Sequence, residues 1–294
     1  MGSEARSTSS TPRILCLSNG HGEDGIARQI AAALLAHPRS PEVAALPIVG
    51  TGESYRRAEI PIVGVAKNLP SGGFIYMDGR QLARDLGGGL LQLTGSQFQT
   101  VRAWAKSGGV ILAVGDIVPL LFAWLSGAPY AFVGTAKSEY YLRDELGPLP
   151  RSRWWQNFEG WSGSVYLPWE RWLMGRRRCR GVFPRDTLTT QVLQQFNLSA
   201  FDLGNPMMDG LAFAAPVQPP LDQAQPPLTI VLLPGSRDPE AYANWVVILQ
   251  TVQNLQRAYP ARPLRFLAAI APSLDLDQLM AAIPPPWITR QPQR

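Results

Sequence analysis

Apolar residues fall along this chain in two rhythms, short β-branched bursts and longer stretches with an apolar stripe at helical spacing. Residues 13–18 (RILCLS) predict a first strand, and the loop NGHGEDG then leads into a helix whose stripe includes Ile26, Ile30, Ala33 and Leu34. Residues 43–49 predict a second strand, 61–65 a short extended piece, and 81–105 contain a long helix. The apolar run 110–134 is long enough for a membrane span, but Gly115-Asp116, Pro119 and Gly127-Ala128-Pro129 divide it. Strand, helix, strand is the better parse, because apolar runs cut by turn residues are typical of buried parallel strands.

Residues 151–180 break the rhythm with Trp154, Trp155, Trp161, Trp169 and Trp172 set among Arg151, Arg153, Arg171, Arg176, Arg177, Arg178 and Arg180. Beyond them a strand end is expected at 181–184, a helix at 187–196 and a strand at 201–203. Residues 214–227 (AAPVQPPLDQAQPP) have a linker's composition. Past the linker come a strand at 228–233, a helix at 240–258, a strand at 264–270 and a short helix at 274–282.

Repeated βα units predict an α/β protein whose parallel sheet is covered by helices on both faces. Four regions follow: a flexible tail (1–12), a Rossmann-like domain (13–213), the linker (214–227), and a second Rossmann-like domain (228–294). Two strands cannot fill a sheet buried on both faces, so the second domain is expected to be incomplete.

Composition narrows the picture. The chain has 294 residues, 46% of them hydrophobic and 17% charged, which describes a globular protein. A net charge of +5 favours an anionic partner: a nucleotide, an acidic lipid surface or nucleic acid. Cys16 and Cys179 stand far apart, and His21 and His37 show no zinc-like spacing with them, so neither a disulfide framework nor a protein-bound metal is expected. The polar opening MGSEARSTSSTP lacks the apolar core of a secretory signal.

Chemistry is suggested at four places. In LTIVLLPGSRDPE (228–240), a strand empties through Gly235, Ser236 and Arg237 into a helix start, where main-chain N–H groups beside a guanidinium suit a diphosphate. The loop Gly20, His21, Gly22, Glu23 and Asp24 permits close backbone approach, and its two carboxylates suit sugar hydroxyls better than a diphosphate. A capped helix after a tight turn accounts for the same loop. Asp116 ends an apolar strand, at the edge where open α/β sheets place ligands; a general base and a plain helix cap explain it about equally well. Trp154, Trp155, Trp169, Trp172, Arg176 and Arg177 suit an anionic membrane surface or lipid better than nucleic acid, since Leu167, Leu173 and Met174 add apolar anchors.

Taken together, SNGHGEDGIARQIAAAL, Gly115-Asp116, GNPMMDGL (204–211) and LLPGSRDPE (232–240) resemble the lipid-A-disaccharide synthase family, most of all its divergent synthase-related branch. The resemblance spans most of residues 13–275 and implies a two-domain GT-B glycosyltransferase. It implies inverting transfer of an acylated glucosamine from a UDP-sugar to a lipid monosaccharide phosphate, with cytoplasmic placement at the inner membrane surface. By position, Asp116 matches the family's proposed base, Gly235, Ser236 and Arg237 its donor diphosphate loop, and Asn205 a turn near the donor cleft. No resident cofactor is implied. The family's GExSGD-like loop is replaced here by GHGED, and its later uridine-binding segment has no counterpart within these 294 residues. A non-catalytic sugar- or lipid-binding remnant and a UDP-sugar epimerase of the same architecture are the competing expectations.

Overall fold

The computed structural model describes residues 11–39, 41–67, 90–150, 160–209, 211, 227–236, 238–271 and 274–285. The chain divides into two compact units, Met1–Leu211 and Ala212–Arg294.

Five strands of the first unit form one sheet: β1 (Arg13–Ser18), β2 (Glu42–Pro47), β3 (Val110–Val114), β4 (Tyr130–Gly134) and β7 (Cys179–Pro184). A small antiparallel pair, β5 (Arg143–Asp144) and β6 (Gly147–Pro148), precedes the last of these. Within the sheet every neighbouring pair is parallel and the order is β2-β1-β3-β4-β7. Parallel neighbours require crossovers, and helices supply them. They are α1 (His21–Leu35), α2 (Glu53–Arg57), α3 (Leu90–Lys106), α4 (Ile117–Ser126) and α5 (Pro168–Met174), with α6 (Thr187–Gln195) following β7.

Side chains alternate across each strand, so an unbroken apolar run loads both faces of the sheet. Leu15 and Leu17 of β1, Ala44 and Leu46 of β2, Ile111 and Ala113 of β3, and Tyr130 and Phe132 of β4 enter one core, closed by Val101 and Trp104 of α3, Leu120 of α4 and Leu173 of α5. Their neighbours Cys16, Val43, Ala45, Val114 and Val133 enter the opposite core, closed by Ile26, Ala27 and Ala31 of α1 and by Tyr55 of α2. Complete burial pushes the Cys16 thiol up to about 12, which makes it an inert core residue.

The second unit pairs β8 (Leu228–Leu232) with β9 (Leu264–Ala268) in parallel. Helix α7 (Glu240–Ala258) buries Ala241, Trp245 and Leu249 against Leu274 and against Leu279 of α8 (Leu276–Ala281). Trp245 Nε1 donates to the Leu279 carbonyl at 2.9 Å, fixing the two helices to each other.

One local expectation is corrected, and two details are added. Residues 201–203 are not a strand: only Ala200 bridges Val182, with Phe201 N–H donating to the Val182 carbonyl, and the chain leaves the sheet there. The extended piece at 61–65 contributes a single bridge, Ile62 to Ala45. Helix α2 was not anticipated, since five residues are too few to show a helical period. The expected tail lies outside the described residues except for residues 11 and 12, and the expected linker does so except for Pro227. Among the described residues no helix is long and apolar enough to cross a membrane.

Candidate active site

The strand order places a topological switch between β1 and β3, because the chain passes from β1 to β2 on one side and later returns to β3 on the other. Open α/β sheets bind ligands in the crevice outside the carboxyl ends of such strands. The two segments flanking this crevice are the loop after Ser18 and the loop after Val114, which carry the Gly20–Asp24 and Asp116 candidates.

Asp116 is 3% exposed. It caps α4, with Oδ1 accepting from Val118 N–H at 2.7 Å. Its other oxygen, Oδ2, accepts from Asn19 Nδ2 across the switch at 2.7 Å. Capping therefore occupies one oxygen, and the second is held by a residue 97 positions away. Burial raises the Asp116 carboxyl above the usual aspartate range, opposed by the Val118 N–H, the Asn19 amide and the Lys137 charge. A carboxyl kept in an apolar setting and oriented by two donors is suited to taking a proton from a ligand hydroxyl.

Two glycines shape the loops on either side of the crevice. Gly20 adopts φ +129° immediately before α1, and Gly115 adopts φ +117° at the end of β3. A β-carbon on Gly115 would lie 2.6 Å from Glu23 Cγ, so the Glu23 side chain crosses directly over the Asp116 turn. Asp24 turns inward instead: it is 1% exposed and accepts from Ser18 Oγ at 2.6 Å, and Ser18 Oγ also meets the Tyr55 hydroxyl at 2.6 Å. Burial, followed by the Asp24 charge, pushes the Tyr55 phenol well above its ordinary value. His21 and Gly22 open α1.

A half-buried ion pair acts on Asp116. Lys137, in the segment after β4, meets Glu170 of α5 at 2.6 Å, and Glu170 Oε2 also accepts the Leu167 N–H at 2.8 Å. Both charges act on the Asp116 carboxyl, Glu170 raising it and Lys137 lowering it. Asn19, Lys137 and Glu170 were not among the expected residues. Asn19 sits within the quoted loop, and its place directly after a strand was the one available signal; the two charges carry none.

Asn205 belongs to the first unit and caps a short 3₁₀ turn, Pro206–Met208, by accepting from Met207 N–H at 3.1 Å. In the second unit, β8 runs out into Pro234, Gly235 with φ +105°, and Ser236 before α7 starts at Glu240. Asn244 Nδ2 donates to the Pro234 carbonyl at 3.0 Å and fixes the bend. Arg237 lies outside the described residues, as do Trp154 and Trp155. Trp169 and Trp172 are 51% and 46% exposed, the Arg176 guanidinium lies 4.1 Å from the Trp172 ring centroid, and Arg177 is exposed. Among the described residues, no group of three or more His, Cys, Asp or Glu side chains is arranged to hold a metal ion.

The chain is similar to the 2.2 Å crystal structure of a Listeria monocytogenes protein assigned as a UDP-N-acetylglucosamine 2-epimerase. The TM-score is 0.52 at 12% identity, over 93% of this chain and 66% of that one, so the chain spans about two thirds of that protein's length. MurG of Acinetobacter baumannii matches with a TM-score of 0.39 at 15% identity, over 92% of this chain and 70% of that one. No protein-family model and no curated protein matches the chain. The first likeness and the parallel five-stranded sheet define an α/β fold of the GT-B type, built on Rossmann-like units.

Proposed function

We propose that the chain is a UDP-sugar glycosyltransferase resembling lipid-A-disaccharide synthase, which transfers an acylated glucosamine with inversion to a lipid monosaccharide phosphate. The observation that carries this reading is the buried Asp116 carboxylate at the switch crevice, oriented by Val118 and Asn19. In the reaction, the acceptor hydroxyl oxygen bonds to the anomeric carbon while its proton passes to Asp116, and the bond from that carbon to the diphosphate oxygen breaks with its electron pair leaving on UDP. The donor diphosphate is assigned to the main-chain N–H groups of Gly235 and Ser236 and to Arg237, whose positive charge offsets the negative charge that builds on the departing group. Asn205 is assigned to the donor side, and Gly20, His21, Gly22, Glu23 and Asp24 to the acceptor side.

A lipid acceptor has to be reached at a membrane surface. Trp169 and Trp172 on α5 share their exposed character with Leu121 and Leu125 on α4, and Trp124 and Trp172 join the two helices at 5.2 Å between ring centroids. With Arg176 and Arg177 adjacent, this surface suits the headgroup region of an anionic membrane. Trp154 and Trp155 are assigned to the same role, and the protein to the cytoplasmic side of the inner membrane.

A second reading, a UDP-sugar epimerase, draws support from the fold shared with the Listeria protein. Release of UDP from UDP-acylglucosamine separates the two. Release that depends on added lipid monosaccharide phosphate, with a disaccharide product, supports the transferase. Conversion of the donor without acceptor supports the epimerase, and binding without conversion would leave a sugar-binding protein.

A further inference from the structure

The contact between Asn19 and Asp116 is not required by helix capping. Val118 N–H alone makes the α4 cap, yet a side chain from the other bank of the crevice reaches the second carboxylate oxygen. The orientation of the Asn19 amide is fixed by its partner, since turning it over would set an amide oxygen against a carboxylate oxygen. With the amide nitrogen turned toward Asp116, Asn19 Oδ1 is left buried without a hydrogen-bond partner. Native structures leave few buried polar atoms unpaired, and those that persist call for an explanation outside stability. The glycine following Asn19 is held at φ +129°, so the loop is bent where this side chain enters the crevice.

We propose that Asn19 is a positioning residue, whose amide N–H fixes the orientation of the Asp116 carboxylate in the switch crevice. This rests on the assignment of Asp116 as the base. The surroundings of Asp116 explain why such a donor matters. Glu23 crosses the turn from α1, and of the charges acting on the Asp116 carboxyl, Glu170 of α5 is a carboxylate and Lys137 a cation already paired with that carboxylate. An uncharged donor on Oδ2 favours the ionised carboxylate without adding a cation that would compete for an anionic ligand. Among the groups acting on the Asp116 carboxyl, Asn19 opposes the effect of burial.

The test is a carboxyl ¹³C NMR titration of the full chain from about pH 3 to about pH 9, spanning the ordinary carboxylate range and beyond. The Asp116 resonance is assigned by its loss in Asp116→Asn. In Asn19→Leu and Asn19→Ala the Asp116 midpoint should move upward, because the ionised form loses a donor. In Asn19→Asp two carboxylates at hydrogen-bond distance cannot both ionise, so their titrations should couple and one should move far above the ordinary range. Retained amide dispersion shows which variants fold, and any one folded variant decides the matter. An Asp116 midpoint unchanged from the parent in the folded variants would overturn the proposal. The titration needs no substrate, so its outcome is separable from the transferase reading. A shift in a protein that releases no UDP keeps the positioning role and removes the reaction, and UDP release without a shift does the reverse.

Discussion

Glu23 Cγ lies only 2.6 Å from the place a β-carbon on Gly115 would take, so the α1 acid and the β3 turn interlock through the missing side chain. The same glycine holds φ +117°, a conformation that side-chain-bearing residues rarely adopt. Gly115→Ala should therefore destabilise the first unit by about 1–3 kcal/mol and displace the Asp116 turn. Urea unfolding checks the first effect; a stability equal to the parent's would show that the contact gives way freely.

The Lys137 and Glu170 pair makes a second prediction. Glu170 has 3% of its side chain exposed, whereas Lys137 retains 32%, so water screens the pair only from the lysine side. Lys137→Met leaves a buried carboxylate held by the Leu167 N–H alone and should cost about 1–3 kcal/mol, measured by the same unfolding experiment. Loss of the lysine charge should also move the Asp116 midpoint upward.

Asp116 should confer a stability that depends on pH in an unusual sense for a carboxylate. Its folded value is raised above the ordinary one, so the folded protein holds its proton longer than the unfolded chain does. The contribution is thus fully present below about pH 4, the ordinary aspartate range, and is lost as pH rises through the folded value. Unfolding free energies of the parent, taken relative to Asp116→Asn, should fall across that window. A difference that rises with pH would contradict the burial assigned to this carboxyl.

The surface of α4 and α5 can be tested with vesicles. The parent should sediment with phosphatidylglycerol vesicles and less with neutral ones, and each of Arg176→Ala and Arg177→Ala should weaken binding about fivefold at low salt. Trp169→Ala together with Trp172→Ala should weaken it at any salt concentration. Equal sedimentation of all these variants would remove the membrane role.

The layered fold was legible where a strand is buried on both faces. Residues 110–114 announce β3 because five apolar residues in a row serve two cores, and Gly115-Asp116 marks where the run ends. Residues 201–203 misled because an extended-looking segment can touch a sheet beside a single bridging residue and leave it. Asp116 could be read locally as either base or cap, and the cap is present. What no local pattern carried was its partner, since the contact with Asn19 spans 97 positions and exists only once the sheet order brings β1 and β3 together. Lys137 and Glu170 were hidden for the same reason, since they stand 33 positions apart and meet only in the folded chain.

The central claim is that Asp116 removes the acceptor proton while a separate site holds the donor. It is tested most directly by comparing the parent with Asp116→Asn for UDP release from UDP-acylglucosamine in the presence of lipid monosaccharide phosphate, alongside calorimetric UDP binding. The account predicts a fall in release of about 10²- to 10⁴-fold with UDP affinity unchanged within about twofold. Release at the parent's rate from Asp116→Asn would contradict it.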